Sequence, residues 1–148
     1  MTTTATPPTQ QYGSDIRLTL LGDPISKARA QTVRLRNGTS HSYTPSATTN
    51  AEDAWRARFL NSGLLPLPPN RALAATVDFY LHRPPSIPKK RARPMTGPDF
   101  DNLTKLVTDA LQHLAYDNDS RFVDFHIREW YATYPDPPRT ELHIWLDD

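Results

Sequence analysis

The chain has no cysteine, which removes several chemistries at once: disulfides, thiolate catalysis, and zinc or iron–sulfur sites built on sulfur. Its five histidines (His41, His82, His113, His126 and His143) are scattered without ligand spacing, so any metal must sit mainly on oxygen. No stretch approaches the roughly 18 apolar residues that a membrane-spanning helix needs, and the mean hydropathy of −0.63 points the same way. Met1 to Ser14, rich in Thr, Pro and Gln, lacks the basic start and apolar run of a signal peptide and reads as a frayed tail. A cytoplasmic protein with no membrane partner is the expectation. There is no internal repeat, and 148 residues leave room for one domain, over 15–148.

Acids are missing from one part of the chain and gathered in another. Residues 1–98 carry 13 Lys/Arg against 5 Asp/Glu, and residues 99–148 carry 4 against 11, so a net charge of +1 hides a +8 part and a −7 part. A domain polarised in this way suits one that holds catalytic acids at one place and a polyanion at another. The basic residues fall in two stretches. Lys27, Arg29, Arg34 and Arg36 follow Asp23 without an intervening acid, and Lys89-Lys90-Arg91-Ala92-Arg93 lies in a proline-rich segment. Prolines 84, 85, 88 and 94 remove donors and fix φ, so that segment is an exposed, stiff loop.

Asp15 to Leu21 alternates polar and apolar residues as a half-buried strand does, and Gly22-Asp23-Pro24 stops it. Pro24 to Pro45 shows no sustained period, and its Asn37-Gly38 turn signal suggests a loop or ragged hairpin. Ser46 or Thr48 can cap a helix running to about Asn61, with Glu52 and Asp53 in its first turn and Ser62-Gly63 at its end. Ala72 to His82 reads as a central strand. The clearest helix is Phe100 to Leu114, where Leu103, Leu106, Val107, Ala110, Leu111 and Leu114 make one apolar stripe. Phe122 to Trp130 alternates as a strand, and Thr140 to Leu146 returns as a last strand, paired with it as a hairpin. The sum is an α+β domain, a mixed sheet of about four strands packed with two main helices.

Two acidic knots flank the second helix: Asp99-Phe100-Asp101 before it and Asp117-Asn118-Asp119 after it. Each has an ordinary reading, the first as helix capping and the second as a turn. Together they suggest a carboxylate site for a hard divalent cation such as Mg²⁺, which keeps several waters and also holds a substrate phosphate. The knots meet if the chain returns to a neighbouring strand. The downstream triplet is no calcium loop, since Phe122 stands where glycine is needed and Arg128 where glutamate is. Lys105, one turn after Asp101, either pairs with it on the surface or neutralises charge growing on a phosphorane.

Pro98-Asp99-Phe100-Asp101-Asn102-Leu103-Thr104-Lys105, followed by Asp109-Ala110-Leu111 and by Tyr116 through the acidic turn to Val123, resembles the core pattern of RusA-type Holliday junction resolvases, common in phages and prophages. Gly22 to Arg29, with Tyr43-Thr44-Pro45, is similar to the N-terminal motif of the phage branch. The resemblance implies a RusA-like fold, with Asp99, Asp101 and Asp119 as catalytic metal ligands and Lys105 as the catalytic lysine. It also implies Mg²⁺, with Mn²⁺ as a substitute, and a homodimer that nicks four-way DNA symmetrically in a bacterial host. The family shows adjacent aspartates in the downstream turn, whereas here Asn118 holds the first position. Either Asn118 serves as a neutral ligand or as a hydrogen-bond partner to one, or Asp117 takes its place. Lys27, Arg29, Lys89, Lys90, Arg91 and Arg93 then become clamps on the DNA backbone, with binding that falls steeply with salt. The alternative is a non-catalytic module that binds branched DNA through the basic loops alone.

Overall fold

A computed structural model describes residues 9–29 and 31–148. In chain order its elements are β1 (Asp15–Leu21), β2 (Gln31–Arg34), β3 (Ser40–Tyr43), α1 (Ser46–Ser62), β4 (Leu73–Leu81), α2 (Phe100–Leu111), β5 (Phe122–Tyr131) and β6 (Arg139–Leu146). A single 3₁₀ turn at Asp119–Arg121 leads into β5. The expected N-terminal tail lies largely outside the described residues; from its end, the Gly13 amide bonds the Pro66 carbonyl at 2.9 Å.

Four strands form one mixed sheet in the order β1-β6-β4-β5, giving the α+β architecture the sequence suggests. Only β4 and β5 run parallel, with α2 as their crossover. β5 and β6 are therefore not the expected hairpin: β6 lies between β1 and β4, antiparallel to both. The reason is burial. Thr140, Leu142 and Ile144 of β6 are buried, which needs neighbours on both sides, whereas the alternate residues of β5 stay half-exposed at an edge.

One face of the sheet (Ile16, Leu18, Leu73, Ala75, Val77, Phe79, Leu142 and Ile144) packs against both helices in a single core. Helix α2 supplies Leu103, Leu106, Val107, Ala110 and Leu111, each worth about 1.5–3 kcal/mol for the larger side chains. Helix α1 supplies Trp55 and Phe59. This helix starts one turn earlier than its acids imply, so Glu52 and Asp53 are not in the first turn. Thr48 is buried rather than capping, its hydroxyl taking the Ala28 amide at 3.0 Å. Gly63 ends α1 at φ 75°, the left-handed region that glycine adopts without a Cβ clash.

Helix α2 ends at Leu111, three residues before the apolar stripe does, because His113 turns the chain at φ 71° and its amide bonds the Tyr116 carbonyl. Leu114 still packs against the core from outside the helix. Asn37-Gly38 does close a hairpin, β2–β3, whose Arg34 and Arg36 are exposed.

Candidate nuclease site

Asp99 occupies the N-cap of α2, and its carboxylate accepts the Asp101 amide at 3.3 Å. Capping thus accounts for Asp99 locally, but not for Asp101, which sits exposed in the first turn. Both acids lie at the end of the sheet where β4 and β5 finish, on the side where Glu129 of β5 faces them. Burial, and then the Asp99 charge, push the Glu129 carboxyl above its ordinary range. Glu129 was not among the sequence candidates. Its signal was available, as the one acid in register with Val123, Phe125 and Ile127 along β5.

The Lys105 ammonium does not pair with Asp101; it lies 3.8 Å from Asp109, one turn further along α2. Asp109 is also held by Lys27, at 3.0 Å. Lys27 in turn reaches buried Glu52 of α1 at 3.4 Å, so this basic residue ties the two helices together. Burial works against the Lys27 charge, yet its bond and attraction to Asp109, and then to Glu52, raise its pKa. The Lys27 amide bonds the Asn102 carbonyl at 2.9 Å, which fixes the start of the basic segment against the start of α2. Arg29 is exposed just beyond this anchor.

The second acidic knot lies at the far end of α2. Twelve residues at 1.5 Å each separate the helix ends by about 18 Å. In a parallel strand–helix–strand unit the helix runs against the strands, so its start and its exit sit at opposite ends of the sheet. Asp119 is exposed there, with its amide bonded to the Gln112 side chain at 3.2 Å. Asp117 is ion-paired to Arg121, and that hydrogen bond keeps its carboxyl below the usual range. Asn118 accepts the Ser120 amide at 2.9 Å as the cap of the 3₁₀ turn. Among the described residues, no three His, Asp or Glu side chains gather closely enough to hold a metal ion. One chain therefore keeps Asp119 apart from Asp99 and Asp101.

The proline-rich loop brings Lys89, Lys90, Arg91 and Arg93, all exposed, to the same end of the sheet as Asp99. The Ala92 carbonyl takes the Tyr131 amide at 2.8 Å, and the Arg93 guanidinium stacks 3.5 Å from the centre of the Trp130 ring. Together they tie the basic loop to the end of β5.

The profile of the endodeoxyribonuclease RusA family matches residues 22–145, which take in every element after β1, both helices and both acidic knots among them. The chain belongs to this family. RusA proteins are Holliday junction-resolving endodeoxyribonucleases, and the α+β arrangement seen here is consistent with a RusA-like fold. A relative from Bacillus subtilis (strain 168), the uncharacterized protein YqaN, is 30% identical over 143 residues, covering 87% of this chain and 94% of its own length. No described helix is long and apolar enough to cross a membrane.

Proposed function

We propose that this RusA-family protein is a Mg²⁺-dependent endonuclease, with Mn²⁺ as a substitute, that binds four-way DNA as a homodimer and nicks two strands symmetrically. The observation that carries the reading is the juxtaposition at one end of the sheet: exposed Asp99 and Asp101 at a helix start, beside four exposed cations of a stiff loop. Two carboxylates suffice for Mg²⁺ when phosphate oxygens and water fill its remaining positions, although the three-carboxylate set is not assembled within one chain. When bound, such a cation supplies positive charge to a scissile phosphodiester. The chain's own groups do the rest. Lys89, Lys90, Arg91 and Arg93 hold the backbone, and Lys105, steadied by Asp109, offers a cation to the charge that develops on phosphate. A phage or prophage origin and action in the cytoplasm of a bacterial host follow from the same reading.

The separation of the acids favours a second reading, a module that binds branched DNA through its basic loops without cutting. One experiment decides. A labelled synthetic four-way junction and a linear duplex are incubated with the protein in Mg²⁺ or EDTA and run on a denaturing gel. Paired nicks only in the junction lane with Mg²⁺ support the nuclease; a retarded but intact junction in both conditions supports the binding module.

A further inference from the structure

A cavity of about 440 Å³ opens between the proline-rich loop that follows β4 and the turn that joins β5 to β6. Neither acidic knot lines it. Lys89 does, whereas Arg93, four residues on, lines a separate hollow with Asp99, so at most about 13 Å of chain joins the two. Five prolines contribute to the walls, and two turns brace them: the Ile87 amide bonds the Pro84 carbonyl at 3.0 Å, and the Asp136 amide bonds the Thr133 carbonyl at 2.9 Å. At their roots the two loops are joined by the Ala132 amide and the Leu81 carbonyl, 2.7 Å apart. A cavity braced in this way is formed before any ligand arrives.

Three side chains at this cavity, Arg83, Tyr134 and Asp136, have no side-chain hydrogen bond, ion pair or ring contact among the described residues. Arg83 is half-buried, and its Nη1 is buried without a partner. Tyr134 is 94% exposed at the rim. Buried donors are ordinarily satisfied, so an unpaired guanidinium on an apolar cavity points to a ligand. The rest of the set selects the chemistry. A phosphate carries only acceptors and negative charge, which suits Arg83 and Lys89 but not Asp136. A purely apolar ligand leaves Arg83 and Asp136 both unmatched. A nucleobase offers flat faces to Tyr134 and the proline rings, and places donors and acceptors together along its edge for Asp136 and Arg83.

We propose that this cavity receives one unpaired base of the branched DNA, stacked on Tyr134 and hydrogen-bonded at its edge by Arg83 and Asp136. The proposal rests on the functional reading above and adds a subsite to it: a base swung out of the stack beside the crossover, while the loop from Lys89 to Arg93 holds the phosphates between that base and the cation site.

A scan of abasic sites tests this, with binding measured by gel shift in EDTA so that cutting plays no part. Each four-way junction lacks a single base, at successive positions on either side of the crossover, with sugar and phosphate kept. For the wild type one position is expected to stand out, where loss of the base weakens binding about tenfold, the scale of one base stacked on an aromatic side chain. Tyr134→Ala is expected to bind the intact junction about tenfold more weakly and to be indifferent to that position, since the stacking partner is already gone; Tyr134→Phe restores both. Arg83→Met is expected to shrink the same peak, and thermal melting checks that each variant is folded. A flat scan for the wild type, or a peak that Tyr134→Ala leaves unchanged, overturns the proposal. So does Arg83→Met if it weakens binding equally at every position, because Arg83 is then a clamp on the backbone. The functional reading fails separately. A junction that is bound but never nicked in Mg²⁺ removes the nuclease while the scan still decides the cavity; a junction that is nicked with a flat scan removes only the cavity. A wild type that neither binds nor nicks the junction overturns both.

Discussion

The two ends of α2 carry similar acids in opposite circumstances. At the exit, Asp117 is bound by Arg121, whose guanidinium also donates to the Pro68 carbonyl and, at 2.8 Å, to the Arg71 carbonyl; Tyr116 donates its hydroxyl to the Thr108 carbonyl at 2.6 Å. At the start, Asp101 has no ion pair among the described residues, and Asp99 has one weak cap bond. The exit is built to hold the crossover in place. The start leaves exposed negative charge beside a basic loop, held only by the Asp99 cap bond, which is what the proposed cation site would need.

The strongest way to break this comparison is to neutralise the start. Asp99→Asn and Asp101→Asn are expected to keep junction binding in a gel-shift assay and to lower cleavage by at least about a hundredfold, the scale of removing a group that acts on developing charge. Wild-type cutting by either variant removes that residue from the site. At the other end, Arg121→Ala strips two backbone carbonyls and Asp117 of their donor. It is expected to lower unfolding free energy by about 2–3 kcal/mol in urea titrations while leaving folded protein able to cut. Asp117→Asn is the sharper probe. If Asp117 serves only Arg121, cleavage by this variant stays near the wild-type rate, and a large loss would make Asp117 the acid that stands in for the family's missing aspartate.

The smallest effect concerns pH. Burial, reinforced by the charges of Asp119 and Asp109, pushes the Tyr116 hydroxyl well above its ordinary value of 10.0. The unfolded chain therefore releases this proton above pH 10 while the folded chain keeps it, so stability falls as pH rises from there. Lys27, raised by its two carboxylates, loses its contribution in the same direction, from its ordinary value of 10.5 upward. Urea midpoints are expected to decline above about pH 10, and Tyr116→Phe to flatten that decline. An unchanged slope in this variant would assign the alkaline limb to other raised groups, Lys27 and Tyr80.

Much of the fold was legible because local pattern and final burial agree. Alternation marked β1 and β5, and a run of β-forming residues marked β4, to within a residue or two, and the stripe from Leu103 to Leu111 marked α2. Strand pairing was not legible, because β5 alternates as an antiparallel edge strand would, and nothing local in it announces a parallel neighbour. That gap produced the misplaced hairpin. It also hid the separation of Asp119 from Asp101, which follows only once α2 is known to be a parallel crossover. Asp99 and Asp101 could be placed from spacing alone, since capping chemistry is local. The Lys27 clamp could not, since it joins residues 27, 52 and 109 through space.

Trp130 holds Arg93 against one ring face and donates its indole N–H to Asp78 at 2.9 Å, so a loop cation and a strand aromatic form one optical unit. Any nucleic acid that draws Arg93 away must change the polarity around that indole. The protein thus carries its own fluorophore at the mouth of the site: its emission will report loop engagement in stopped flow without an added dye, and Trp130→Phe will silence the signal.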